Sequence, residues 1–185
     1  MPVAGSVRHG GVGTKERNYA GVAPFALALM SEGEKTRLVA WSCELSAVHD
    51  RLREAARVTQ SELEDGAGDE VTRRELLLYC HGFCAALKAH HEGEDRDLFP
   101  AIAEQHPELG EILRHLAQDH SMIAHLLGGL QAAVDRSATP VELDRHLEGV
   151  AAIMESHFRY EERALGMVLE TLALDGDPYD VLGPL

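Results

Sequence analysis

Two pairs of residues in this chain have the types and spacing to hold a metal. His90 is followed four residues later by Glu94, in AHHEGED, and His157 is followed four residues later by Glu161, in SHFRYEE. On an α-helix, positions i and i+4 share a face about one turn apart. Each pair therefore aims an imidazole and a carboxylate at one point. Two such pairs facing each other, joined by His49 and His120 from two further helices, would make a cage for two metal ions. Mixed nitrogen and oxygen donors suit iron, manganese or zinc, and no cluster of thiolates argues for a softer metal.

These groups need long helices to position them, and the chain supplies four. A capping box at Ser31–Glu34 opens helix 1, which runs to about Leu63, and a second at Thr72–Glu75 opens helix 2, which runs to about Gln105 with a kink or restart at Pro100. Pro107 starts helix 3, ending near Val134, and Thr139-Pro140-Val141-Glu142 starts helix 4, ending near Leu172. No segment reads as a strand. The expected fold is all-α: an antiparallel four-helix bundle, up-down-up-down, over residues 31–174. A Gly-rich leader (1–30) precedes it and an extended tail (175–185) follows it.

Steps of three and four trace one seam along each helix. Helix 1 offers Leu38, Ser42, Leu45, His49, Leu52 and Ala56; helix 2 Leu76, Cys80, Phe83, Leu87, His90, Glu94 and Leu98. Helix 3 offers Leu109, Leu113, Leu116, His120, Ile123 and Leu127; helix 4 Leu143, Leu147, Val150, Met154, His157, Glu161, Ala164 and Val168. Each seam is apolar until a histidine, or a histidine with a glutamate, interrupts it. A lone histidine on an apolar face is ordinarily a hydrogen-bonded core residue, and a lone His-x-x-x-Glu is ordinarily a solvated pair. One histidine in every seam, with carboxylates in two, is a different matter. Buried carboxylates are costly unless paired or metal-bound.

The chain has 11 histidines. His9 falls in the leader and His106 in a loop; His81, His115, His125 and His146 lie beside the seams. His91 is ambiguous: about 100° round the helix from His90, it either orients a ligand or faces solvent, and His90 is favoured because it repeats the spacing of His157 and Glu161.

Charge and composition narrow the function classes. In 185 residues, 31 acidic side chains against 17 basic ones exclude the basic patch of a nucleic-acid binder and argue against docking on anionic lipid. No apolar run reaches a membrane span, and the first residues lack a secretory core. Three cysteines, Cys43, Cys80 and Cys84, make no disulfide framework and are read as reduced thiols of a cytoplasmic protein.

The residues around the metal candidates resemble the hemerythrin-like family, the HHE cation-binding domains, from about Lys35 to Leu172. The resemblance rests on His49 in AVHDRLRE, on His90-x-x-x-Glu94 followed by DLFPAI, on His120 in QDHSMIAHLL, and on His157-x-x-x-Glu161-Glu162. It implies a centre of two non-haem irons with an oxo or hydroxo bridge. Glu94 and Glu161 would be bridging carboxylates, and His49, His90, His120 and His157 terminal ligands. Oxygen-carrying hemerythrins add a fifth histidine one turn before the helix-3 ligand, where this chain has Leu116. Tyr79, Tyr160, His81 and His91 remain as sources of a further donor. The departure shifts the expectation from oxygen carriage toward chemistry on a small oxidant: decomposition of hydrogen peroxide first, nitric oxide reduction second. Phe83, Leu87, Leu116, Ile123, Met154 and Phe158 would line a dry pocket, with Glu162 and Asp119 at hand for protons or orientation. The alternative is a module that binds or senses oxygen or iron without turnover, like the iron-sensing hemerythrin-like domain of a ubiquitin-ligase subunit. Such domains ordinarily report to an output domain, and none is expected in these residues.

Overall fold

A computed structural model describes residues 32–65 and 70–183. The expected leader, with His9, lies outside them, as do the side chains of Leu38 and Leu76. All regular structure among the described residues is helical. Helix α1 spans Glu32–Asp65 and α2 Glu70–Gly93; a π turn over Glu94–Leu98 leads into α3, Phe99–Gln105. A 3-10 turn, Pro107–Leu109, leads into α4, Gly110–Asp135; α5 spans Pro140–Leu169 and the short α6 Pro178–Leu182. Helix α1 packs on α2 and α5, and α4 packs on the same two, a ring consistent with a four-helix bundle.

Local chemistry explains the boundaries. The Thr139 hydroxyl accepts from the Glu142 backbone N–H, and Pro140 occupies the first turn of α5, where a missing N–H costs nothing. The break expected at Pro100 takes the form of the π turn. Proline has no N–H to bond back to residue 96, and the Phe99 N–H bonds instead to the Glu94 carbonyl, five residues back. Helix 4 of the sequence reading ends three residues early, at Leu169.

The seams are buried as the periodicity predicts. Leu52, Leu87, Leu116, Ile123, Leu147 and Val150 have no exposed surface. The seam of α5 departs near its end: Leu165 and Leu169 are buried, while Ala164 and Val168 are only partly so. Successive steps of four from Glu161 hold that stripe inward. The expectation of an extended tail is overturned by α6. Asp177 caps it by accepting from the Tyr179 N–H, and Val181 and Leu182 are buried in the core. Two apolar residues side by side at the end of a polar segment gain more by packing than by staying in water.

Candidate metal centre

Helix α1 contributes His49, α2 His90 and His91, the π turn Glu94, α4 His120, and α5 His157 and Glu161. All seven are buried, none more than 5% exposed. The six residues expected from the sequence meet at the centre, and His91 joins them. Donor atoms of His49, His90 and Glu94 lie within 4.8 Å of one another, as do those of His91, Glu94, His120 and His157. Each carboxylate spans the two groups. Glu94 reaches His90 through Oε1 at 3.3 Å and His120 through Oε2 at 3.4 Å. Glu161 Oε2 lies 3.4 Å from His49 Nε2 and 3.6 Å from His157 Nε2.

The hydrogen bonds behind the histidines decide which nitrogens face inward. His90 Nδ1 lies 3.0 Å from the Leu182 carbonyl, which can only accept, so Nδ1 carries the proton. Burial first, and then the neighbouring His49, lower the His90 pKa to about 3, so the ring is neutral and its Nε2 is a bare lone pair. His49 Nδ1 lies 2.9 Å from Glu162 Oε1. Arg53 donates to both Glu162 oxygens, leaving Glu162 to accept from His49. His49 Nε2, on the other side of the ring, then faces inward. The two Nε2 atoms are 3.1 Å apart. A cation between them could be held by both nitrogens.

The second group repeats the pattern at His120 only: His120 Nδ1 is 2.9 Å from Asp95 Oδ1, whereas His157 Nδ1 stands 3.6 Å from Asp119 Oδ2 without a hydrogen bond; the two Nε2 atoms face each other at 3.0 Å. All four oxygens of Glu94 and Glu161, with His91 Nε2 and His157 Nδ1, are buried without a hydrogen-bond partner. Orphaned buried polar groups on this scale are rare in a folded protein. Burial, and then the adjacent Glu161, push the Glu94 carboxyl well above its ordinary range, because two dry carboxylates cannot both ionise cheaply. Imidazole nitrogens and two carboxylates, all aimed at one interior, fit cations.

The sequence pattern of the hemerythrin HHE cation-binding domain matches residues 44–169. This chain belongs to the hemerythrin HHE family. No curated protein and no solved structure gives a significant match. A hemerythrin-type domain implies iron, and the buried histidines and glutamates are positioned to bind it.

His91, left open by the sequence, lies with the second group. It is 5% exposed, stacks on His120 with ring centroids 4.2 Å apart, and belongs to the second group. At about 100° per residue, Glu94 falls angularly between His90 and His91, so a helix that points Glu94 at the centre turns both histidines toward it. The signal was there: His91 sits at i−3 from Glu94, as helix-facing as i−4. Leu116 is a fully buried leucine. The third imidazole of the second group therefore comes from α2 rather than α4. The other candidates stay out: Tyr79 and His81 are exposed, and Tyr160 lies under Arg163. His106, His115, His125 and His146 also lie outside both groups, as expected.

The residues expected to line a dry pocket, Phe83, Leu87, Leu116, Ile123, Met154 and Phe158, are buried, and Phe158 stacks on His49 at 3.8 Å. Phe99, unnoticed in the sequence, stacks on His120 at 5.3 Å. Asp95 was missed as well, since nothing in its spacing separates it from a solvated acid. No helix among the described residues is long and apolar enough to cross a membrane.

Proposed function

We propose that this hemerythrin-family chain holds two irons and uses them on a small oxidant, hydrogen peroxide foremost. The observation that carries the reading is the facing of two pairs of Nε2 atoms, 3.1 Å and 3.0 Å apart, around carboxylates common to both. His49 and His90 would hold one iron, and His91, His120 and His157 the other, with Glu94 and Glu161 between them. An iron pair with an oxo or hydroxo bridge would supply Lewis acidity and redox equivalents. The seams then run up-down-up-down, bringing four helices' ligands to one level.

The chain's own residues provide position, dryness and proton routes. Phe158 and Phe99 flatten against His49 and His120 and keep water from the ring faces. Leu116 and Ile123, fully buried, close the α4 side. Asp95, Asp119 and Glu162 are 43%, 38% and 28% exposed, and each faces the Nδ1 of a ligand histidine. They link the dry interior to water. Disproportionation of peroxide, in which one molecule is oxidised to dioxygen and another reduced to water, must move protons. These carboxylates favour turnover. The thiols of Cys43, Cys80 and Cys84 are free, which suits a reducing compartment, and we assign the protein to the cytoplasm.

His91 favours a second reading. Two and three histidines on the two irons is the division that reversible oxygen carriers use, so binding or sensing of oxygen without turnover competes directly. The test is metal analysis followed by peroxide. Near two irons per chain, an absorption spectrum of a bridged ferric pair, and oxygen evolved from peroxide are expected. Absence of oxygen evolution with the iron intact overturns the peroxide reading. A long-lived oxygenated species in stopped-flow spectra establishes the second.

A further inference from the structure

The family domain ends at residue 169, yet the group that orients His90 comes from Leu182. The segment between is laid down with care. The Trp41 indole donates to the Leu174 carbonyl at 3.2 Å, and Gln105 makes two bonds to the Ala173 backbone, at 2.9 and 3.2 Å. Arg96, from the π turn, donates to the Asp180 carbonyl at 2.8 Å.

Two glycines allow the last approach. A Cβ on Gly93 would stand 2.1 Å from the Val181 carbonyl oxygen, well inside contact distance. Gly183 has φ +87, a backbone region that favours glycine, and brings the chain over the His90 backbone, where a Cβ would meet the His90 nitrogen at 3.0 Å. The result is a backbone carbonyl, 3.0 Å from His90 Nδ1, beside a leucine with no exposed surface.

We propose that residues 170–183 are a strap that positions His90 and slows loss of metal from the half of the centre made by His49 and His90. The proposal rests on the di-iron reading above. An iron on His90 Nε2 requires the proton on Nδ1, and that proton is what the Leu182 carbonyl accepts. Iron binding and strap docking therefore strengthen each other, by the same factor in each direction. Leu182 acts through its main chain as a positioning residue, and the second group has no part in it.

The experiment follows iron release from the loaded full-length protein into excess chelator, and compares Gly93→Ala with a chain ending at Asp177. Loss of an outer hydrogen-bond partner lowers metal affinity by about 10–100-fold. Release from both variants is expected to show one phase accelerated about tenfold or more and one unchanged. Hydrogen exchange across 178–182 in the parent is expected to be slower with iron than without. If the shortened chain does not fold, Gly93→Ala carries the test, since alanine suits a helix better than glycine. Unchanged release, equal acceleration of both phases, or exchange indifferent to iron overturns the strap alone. A parent chain that takes up no iron overturns the di-iron reading and, with it, the linkage.

Discussion

The half of the centre around His49 and His90 and the half around His91, His120 and His157 are held in different ways. In the second, Asp119 sits one residue before the candidate ligand His120 on its own helix and approaches His157 on the neighbouring helix to 3.6 Å without a hydrogen bond. Asp95, which faces His120, follows Glu94 directly. In the first, Glu162 comes from α5 to serve His49 on α1, steadied by Arg53, whose guanidinium also lies 5.4 Å over Phe158. His90 depends on a carbonyl 92 residues away. Asp95, Asp119 and Glu162 each stand next in sequence to a candidate ligand, whereas the Leu182 carbonyl that braces His90 is delivered by the folded chain alone. A two-histidine site also has fewer donors of its own. It is the half where support from outside the ligand set should matter most.

Glu94 tests whether the halves are one centre, and its replacement should have the largest effect. Glu94→Gln is expected to abolish iron binding in both halves, read as metal content and loss of the ferric absorption. The same variant should stabilise the metal-free protein at neutral pH. A carboxyl whose pKa is raised on folding penalises the fold above its unfolded value of 4.5, and an amide does not titrate. A thermal midpoint that fell without metal would count against the buried-charge account.

His91→Leu separates the halves. It should remove iron from the three-histidine group and leave the other occupied, halving the metal content. Full retention of both irons would return His91 to the role of spectator.

Leu87→Ala sets the centre against the seam that carries it. Leu87 has no exposed surface, and its truncation should cost about 2–5 kcal/mol in denaturant unfolding with iron content unchanged.

Acid sharpens the contrast more gently. In the metal-free protein His90, His91 and His157 are held below the ordinary imidazole value, by burial first and then by neighbouring imidazoles, although Glu161 opposes this at His157. The unfolded chain then binds those protons more readily. Stability should fall as pH drops through about 6.5 and continue to fall toward the His90 value of about 3. Glu94, raised on folding, titrates with the opposite sign, so the check is urea unfolding against pH in the metal-free Glu94→Gln variant, where a flat profile across that window would count against histidines held neutral by burial. The smallest effect concerns the thiols. Cys43 is exposed, while burial pushes Cys80 up to about 11 and Cys84 up to about 12. Only Cys43 should be alkylated in the native protein, and all three after unfolding.

Much of the centre could be read before any fold was known. Six donors stood out because each broke an apolar stripe, and a stripe is a property of one helix and its 3.6-residue turn. The capping residues Thr139 and Pro140 placed a helix start for the same local reason. The end of α5 and the tail were misread because both depend on neighbours: Leu165 rather than Ala164 is buried only once α5 has partners, and α6 forms on α2 and α1.

Sequence by itself determined four amphipathic helices and the chemistry of their interruptions, since side-chain type and helical period are local facts. Tertiary structure decided the rest. Whether His90, His91 or both face the centre depends on how far α2 is rotated about its axis, and three other helices set that rotation. Which carbonyl accepts from His90 could not be read at all, because every residue carries the same carbonyl, and only the path of the folded chain distinguishes that of Leu182.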